Sequence, residues 1–379
     1  MSLVWQSNVK HTPGTHVLIV GVGSYPHFPG YTGQNKVGQV EMSARSAFRL
    51  ASWFVASHNH SETPLQSVRL LLSGDETRTE AEAHFEKPIT TATVANVRAA
   101  FWAWQNELKA DDGSVAVFYF AGHGIGNAAG QSLFLEDYNR DVHAPLDGAV
   151  NYNNLRQSVT QNDSIDSAWF FIDACRQADL ERVARATWGV EFDHNVPLLA
   201  GSVRSFQLYA AGDGQEALGI IDKTTFFADA LIDALDKNGY FYTGSEWAIQ
   251  PSTLHAAVDV NLKWACEKAL IPASLIPNVE VRTPAGDLEL HHRSDLNPPK
   301  FLVKMTCKPE ERNSQYTLSY GIKGEVQRTM RPPDIAAWYC HLTPGYYSFT
   351  AQSVVGGEPR EKVQFVQQHL VNVIWKGAV

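Results

Sequence analysis

The chain has 379 residues, with 44% hydrophobic and 19% charged side chains and a net charge of −9. This composition indicates a folded globular protein of two or three domains, and the negative charge argues against a nucleic-acid partner, which requires a basic surface. Residues 1–14 lack the apolar stretch of a secretory signal, and no apolar run approaches the roughly 18 residues of a membrane-spanning helix. We therefore expect a cytoplasmic protein with neither nucleic-acid nor membrane partners.

Predicted strands and helices alternate through residues 15–290. Apolar, β-branched runs predict buried strands at residues 16–23, 67–72, 114–121, 167–174 and 205–211. Helical spacing of apolar residues predicts helices at residues 37–56, 93–109, 152–161 and 225–235. This order predicts an α/β domain whose largely parallel sheet is flanked by helices.

The sequence changes character after Asn297-Pro298-Pro299. Four strand-like runs follow, separated by turn residues, at residues 301–307, 315–321, 346–353 and 362–375. They predict a second domain over residues 298–379, which is all-β and sandwich-like. We expect this domain to bind a substrate or a regulatory protein.

The cysteines and the adjacent histidines do not form the pattern of a metal site. The four cysteines have no CxxC pair and no zinc-ligand spacing: Cys175, Cys266, Cys307 and Cys340. The pair His291-His292 is better interpreted as a polar strand edge. We expect neither a metal nor a cofactor.

Two of the predicted strands lead into chemically reactive residues. The strand at 114–121 is followed by Gly122-His123-Gly124, and the strand at 167–174 by Cys175. Because ligands bind at the carboxyl ends of parallel strands, both side chains are expected at that edge of the sheet. A thiol beside an imidazole can form an acyl-enzyme, since the imidazole takes the thiol proton and later protonates the leaving amine. We predict Cys175 as nucleophile, His123 as general base, and the amides of Gly124 and Cys175 as oxyanion hole.

The two motifs together resemble caspases, metacaspases and their bacterial caspase-like relatives. His123 precedes Cys175 by 52 residues, and caspases have a spacing of about 50. The segment Asp173-Ala174-Cys175-Arg176-Gln177 contains the Ala-Cys-Arg of the caspase signature, with a leading Asp that is closer to metacaspases. The resemblance covers about residues 15–290 and implies a caspase-like fold and a peptidase that acts on proteins. Calcium dependence occurs among metacaspases, but no acidic loop indicates it here.

The residue two positions before the nucleophile is predicted to line the substrate pocket. Side chains alternate along a strand, so Asp173 and Cys175 point to the same side of the sheet. The resemblance implies that Asp at this position binds a basic substrate residue, and Asp213 and Glu216 add negative charge after the next strand. Cleavage after Arg or Lys is therefore predicted, although a structural role for Asp173 at the strand end remains open. Metacaspases usually have a second pocket Asp early in the first helix, where this chain has Ser43, Arg45 and Ser46.

Two alternatives to a general endopeptidase remain open. One is a caspase-like scaffold that binds partners without catalysis, although the chain retains both His123 and Cys175. The other is a module that processes only itself or one partner protein. Solitary bacterial caspase-like proteins often belong to defence or cell-death systems, and the resemblance extends this role to the chain.

The segment from Arg176 to Arg204 is longer than most loops of compact domains. Caspases are cut between the two corresponding strands, so the resemblance predicts a processing site at Arg182 or Arg185, which suit an acidic pocket. The alternative is a short helix over residues 180–186 whose arginines face water.

Overall fold

The structure, a computed structural model, describes residues 2–10, 13–34, 38–126, 130–176, 188–195, 203–212, 214–215, 217–219, 223–282 and 288–376. Contacts within the chain divide it into two units, one of Met1–Ile232 with Asn261–His291 and one of Asp233–Val260 with His292–Val379. The predicted second domain, residues 298–379, falls within the second unit, and its independence from residues 15–290 stays a prediction. Among the described residues, no helix is both long and apolar enough to cross a membrane.

A seven-stranded sheet forms the centre of the first unit in the described part of the chain. Its strands are β1 (Leu3–Gln6), β2 (Thr15–Val22), β3 (Leu65–Ser73), β4 (Ser114–Gly122), β8 (Ile165–Ala174), β9 (Arg204–Tyr209) and β12 (Glu280–Arg282). They are arranged in the order β1-β3-β2-β4-β8-β9-β12. The five inner strands are parallel, and β1 and β12 are antiparallel edge strands. The predicted α/β fold with a largely parallel sheet is confirmed.

A small antiparallel sheet begins one residue after β4. It consists of β5 (Gly124–Gly126), β6 (Gln131–Phe134) and β7 (Ala149–Asn151), with β6 in the middle. The sequence analysis did not predict these strands, because runs of three or four residues are too short to show an alternating pattern.

The helices are α1 (Glu41–Ser57), α2 (Asp75–Phe85), α3 (Val94–Lys109), α4 (Tyr152–Thr160), α5 (Phe226–Asp233) and α6 (Pro251–Lys268). A π-helical turn, Ala234–Asn238, follows α5, and 3₁₀ turns occupy Pro145–Gly148, Ala273–Leu275 and Glu310–Gln315. The four predicted helices agree with α1, α3, α4 and α5 to within a few residues. Helices α2 and α6 were not predicted from the sequence.

The central strands are apolar because helices cover both faces of the sheet. Every residue of β2 is buried, and one face of the sheet packs with Phe101 and Trp104 of α3. On the other face, α1 approaches so closely that a Cβ atom at Gly21 would lie 2.4 Å from the Cβ of Ala47. Gly21 therefore allows the contact between β2 and α1, the two elements that flank the loop of residues 23–40.

The described residues of the second unit form three small sheets. The first comprises β10 (Tyr240–Tyr242), β11 (Trp247–Ile249) and β13 (His292–Arg293). The second has the order β17 (Trp338–Leu342), β14 (Phe301–Lys308), β20 (Leu370–Lys376), and the third has the order β16 (Thr329–Arg331), β15 (Tyr316–Ile322), β18 (Gly345–Ser353), β19 (Arg360–Val366). The run predicted at 362–375 is thus two strands in different sheets, because the chain bends at residues 368–369.

Candidate active site

The carboxyl ends of β4 and β8 bring His123 and Cys175 to one cavity. Gly122 of β4 is paired with Ala174 of β8, so the next residue of each strand is one of the two predicted catalytic residues. The cavity has a volume of about 420 Å³, and its described lining is Phe28, Val40, Met42, Ser43, Gly122, His123, Gly124, Ile125, Phe134, Asp173, Cys175, Ala217, Leu218 and Thr225.

The imidazole of His123 is held in one tautomer. Its Nε2 lies 2.8 Å from the carbonyl oxygen of Gly38. Because a carbonyl can only accept, Nε2 carries the proton of the neutral ring and Nδ1 keeps the lone pair. Burial lowers the pKa of His123 below its usual value, and the hydrogen bond to Gly38 offsets part of this effect. The lowered pKa favours the neutral form of the ring, which is the form that can accept a proton.

Tyr25 supports His123 from a second direction. Its phenolic oxygen accepts the backbone N–H of His123 at 2.7 Å and donates to the carbonyl of Phe134 at 3.2 Å. The rings of Tyr25 and His123 are in contact, with centroids 4.9 Å apart, and Phe28 packs at 5.1 Å from the imidazole centroid. These contacts limit the movement of the imidazole and shield it from water.

The thiol of Cys175 is half-buried, and the chain just beyond it is firmly anchored. Its Sγ accepts the N–H of Ala217 at 3.4 Å. The next residue, Arg176, is 1% exposed, and its guanidinium bonds Glu280 Oε2 at 2.6 Å while stacking over Tyr209 at 4.7 Å. A buried charge that is both paired and stacked strongly resists displacement, so the position of the nucleophile is fixed from its carboxyl side.

Gly124 is placed with its amide outside the β5–β6 ladder. Phe134 N–H bonds the carbonyl of His123, and Gly124 opposes Leu133, so the Gly124 N–H points away from β6. A Cβ at Gly124 would lie 3.0 Å from the Ser132 oxygen and 3.2 Å from the Cys175 oxygen. Glycine is the residue that fits here, and it brings this amide close to the nucleophile's backbone.

Asp173 lies in the same cavity and is 2% exposed. Its Oδ2 accepts the hydroxyl of Tyr119 at 2.9 Å and that of Thr225, whereas its Oδ1 has no hydrogen-bond partner in the described part of the chain. Thr225 is held in turn by its N–H, which donates to Ser46 Oγ at 2.9 Å. Burial raises the pKa of Asp173 to about 7, although the hydrogen bonds from Thr225 and Tyr119 act in the opposite direction. The cavity is therefore lined by a buried carboxyl group, one oxygen of which has no hydrogen-bond partner among the described residues.

Several predicted residues cannot be compared with the structure. Asp213, Glu216, Arg182 and Arg185 lie outside the described residues. Of the residues found in place of a second pocket Asp, Ser43 lines the cavity and Ser46 contacts Thr225. The catalytic, oxyanion and substrate-binding roles given to His123, Cys175, Gly124 and Asp173 stay predictions.

Known proteins provide an independent comparison. Residues 69–274, more than half of the chain, match the family model of the caspase domain. The chain belongs to the caspase-domain family. Members of this family are cysteine peptidases, which act on protein substrates. The resemblance predicted from the two motifs is confirmed.

Two individual proteins are similar to this caspase-domain protein, one over a short segment and one at low sequence identity. An uncharacterized protein of Sinorhizobium fredii, y4kE, is 36% identical over 92 residues, and the match spans about a quarter of each chain, 24% of this one and 26% of that one. The crystal structure of caspase-1 from Spodoptera frugiperda is similar with a TM-score of 0.43 and 12% identity, over 73% of this chain and 89% of that one.

The caspase-domain match includes His123, Asp173 and Cys175 but begins after several residues that contact them. Tyr25, Phe28 and Gly38, which contact His123, precede residue 69, and so does Ser46, which contacts Thr225. The sequence analysis did not predict Tyr25, Gly38, Tyr119 or Thr225 as part of the site. Their one sequence signal is proximity to the carboxyl ends of β2 and β4 or to the starts of α1 and α5.

Replacing Asp173 with Asn is expected to change how stability depends on pH. The pKa of the folded carboxyl is about 7 against an ordinary 3.8, so the folded protein retains a proton that the unfolded chain loses. This stabilisation is complete below about pH 4, is lost progressively between about pH 4 and 7, and is absent above about pH 7. Urea denaturation should show the free energy of unfolding of the wild type falling, relative to Asp173→Asn, across that window.

Asp166→Asn is the matched control, because Asp166 lies on the same strand but is exposed and paired with Arg204. It should leave the pH dependence nearly unchanged. Parallel curves for the wild type and Asp173→Asn would mean that Asp173 is ionised in the folded protein across this range.

Proposed function

We propose that this protein is a cysteine endopeptidase in which Cys175 is the nucleophile and His123 the general base. The observation that carries the proposal is that a thiol, an imidazole of fixed tautomer and the buried carboxyl group of Asp173 line one cavity. A thiol and an imidazole suffice for acyl transfer, and the carboxylate supplies a means of selecting the substrate. The reaction requires no cofactor.

The proposed reaction has two stages. Nδ1 of His123 takes the thiol proton, and the thiolate attacks the scissile carbonyl carbon. The same proton passes to the leaving amine as the C–N bond breaks, which leaves a thioester on Cys175. A water molecule, deprotonated by His123, then hydrolyses the thioester and restores the thiol. The N–H groups of Gly124 and Cys175 would stabilise the oxyanion, and one such donor is typically worth about 10² to 10³ in rate.

Asp173 is proposed to select Arg or Lys as the residue before the cleaved bond. Asp173 lines the cavity, and its Oδ1 is buried with no hydrogen-bond partner among the described residues, so a cationic side chain that reached this oxygen would gain a charge-assisted hydrogen bond. An acidic side chain would be repelled by the carboxylate. Asp213 and Glu216 are proposed to add to the negative charge of this pocket.

We also propose a role for the C-terminal region and a biological setting for the protein. The chain from residue 298 onward is proposed to recruit a substrate or regulatory protein, and the protein is proposed to act in the cytoplasm in a bacterial defence or cell-death system. These proposals rest on the arrangement of the chain and on its family. A catalytically inactive scaffold is the competing function, and the next experiment distinguishes the two.

Cys175→Ala is expected to abolish peptide cleavage, and His123→Ala to reduce kcat/KM by about 10² to 10⁴, the usual contribution of a general base. A peptide library with diverse residues before the cleavage point is the substrate. Cys340→Ala is the control, because Cys340 is a half-buried free thiol on β17 of the second unit. Near-wild-type rates in either site variant would refute the dyad, and a wild type that cleaves nothing while still binding proteins would favour the scaffold.

Asp173→Asn is expected to lower kcat/KM for Arg and Lys substrates by about 10², because charge-assisted bonds contribute about 1.5–3 kcal/mol each. Substrates with an uncharged residue at the same position should be affected much less. Asp166→Asn, on the same strand, should leave the preference intact. A library profile dominated by Asp, or an unchanged basic preference in Asp173→Asn, would contradict the pocket assignment.

Processing between β8 and β9 is proposed at Arg182 or Arg185. Prolonged incubation of the wild type, with its activator where one is required, should yield two fragments by intact mass, whereas Cys175→Ala and the double variant Arg182→Ala/Arg185→Ala should remain uncut. An active wild type that stays a single chain would exclude this step without affecting the dyad.

A further inference from the structure

The side chain of Gln39 links the two ends of the loop between β2 and α1. The amide of Gln39 pairs with both backbone groups of Tyr25: its Oε1 accepts the Tyr25 N–H at 2.8 Å, and its Nε2 donates to the Tyr25 carbonyl at 3.0 Å. The next residue is also fixed, because Val40 N–H bonds the carbonyl of Gly23 at 2.9 Å. Both ends of this loop are therefore tied together at the carboxyl end of β2.

The peptide group between Gly38 and Gln39 contains the carbonyl that orients His123. Its oxygen lies 2.8 Å from His123 Nε2, and its nitrogen belongs to Gln39. Gly38 itself has φ +76°, and a Cβ there would lie 2.3 Å from the ring of Phe28. The direction of this carbonyl is thus set by a left-handed glycine on one side and by the anchored Gln39 on the other.

We propose that Gln39 is a positioning residue for the general base: by clamping Tyr25 it aims the Gly38 carbonyl at His123 Nε2 and so keeps Nδ1 as the basic nitrogen. This inference rests on the proposed Cys175–His123 dyad. Tyr25 connects Gln39 with His123. Its backbone N–H and carbonyl bind the amide of Gln39, and its hydroxyl oxygen accepts the backbone N–H of His123.

The clamp affects the energy of the proton transfer. When His123 takes the thiol proton, both ring nitrogens carry hydrogen, and the bond from Nε2 to the Gly38 carbonyl becomes a bond from a charged donor. A misdirected carbonyl would weaken this stabilisation of the imidazolium and would let the neutral ring adopt the other tautomer. Fewer molecules would then hold the thiolate–imidazolium pair near neutral pH.

The thiolate–imidazolium pair of Cys175 and His123 can be measured with 2,2′-dipyridyl disulfide, which reacts with the thiolate. The rate of this reaction is followed over a range of pH. The thiolate displaces one thiopyridone and forms a mixed disulfide, and the reagent stays reactive in acid. Measurements use the full chain carrying Cys340→Ala, with Cys175→Ala as the blank. Gln39→Ala should slow the reaction near pH 7 by about 10-fold or more, as expected for a lost hydrogen bond to a charged group. Its pH midpoint should move toward the value of about 8.5 of a free thiol.

Gln39→Glu is the sharper variant. A protonated carboxyl can reproduce both hydrogen bonds to Tyr25, whereas a carboxylate cannot donate to the Tyr25 carbonyl. The variant should therefore react slowly near pH 7 and approach the wild-type rate below about pH 4.5, where a Glu carboxyl gains its proton. Gln34→Ala, an exposed glutamine of the same loop, is the matched control and should follow the wild type throughout.

Peptide kinetics provide the second readout, since a positioning role lowers kcat and leaves KM nearly unchanged. A wild-type pH profile in both Gln39 variants would overturn the role of Gln39. So would a lower melting temperature and a smaller reactive fraction of Cys175 without any shift of the pH midpoint, because that result would indicate a structural role only. If His123→Ala also retains the wild-type profile, the dyad itself is wrong. The two failures are thereby distinguished, because the first leaves the His123 dependence intact.

Discussion

The parallel pairing of β4 with β8 is the constraint on which the candidate site depends. Because Gly122 pairs with Ala174, the two strands end level with each other, and the residue after each is a candidate catalytic group. A register shift of one residue would turn the side chains at one strand end to the opposite face. Both strands are buried, so their core packing maintains the register that the site requires. The chemistry therefore depends on a part of the molecule that has no chemical role of its own.

Asp173 shows how such a sheet can tolerate a carboxyl group in its interior. The side chain is almost entirely buried, and its hydrogen-bond donors in the described segments are the hydroxyl groups of Tyr119 and Thr225. Burial disfavours the ionised carboxylate and so raises the pKa of Asp173. The sheet can therefore hold a carboxyl group in its interior because two hydroxyl groups bind this group and because its raised pKa favours the protonated form.

The sequence was sufficient to predict the elements that carry strong local signals. Strands buried on both faces, such as β4 and β8, appear as continuous apolar runs, and the residues that follow them could be placed at the carboxyl edge of the sheet. The alternation of side chains placed Asp173 on the cavity side. None of this required knowledge of contacts between distant segments.

The supporting residues could not be predicted because their partners are remote in sequence. Nothing in the local pattern indicates that the carbonyl of Gly38 reaches His123, 85 positions later, or that Thr225 reaches Asp173. Helix α2 was missed because it buries only Thr77 and Ala81, which leaves little apolar periodicity. The strands β5, β6 and β7 depend on pairing with each other rather than on a recognisable pattern.

The second unit is assembled from two separate stretches of chain, Asp233–Val260 and His292–Val379. The polypeptide therefore crosses between the units at three points: after residues 232, 260 and 291. Breaking the backbone at any one crossing leaves the two units covalently joined through the others. Truncation before residue 292 would remove most of the second unit. The strands β10 and β11 would remain, but β11 would lose β13, its partner in the sheet.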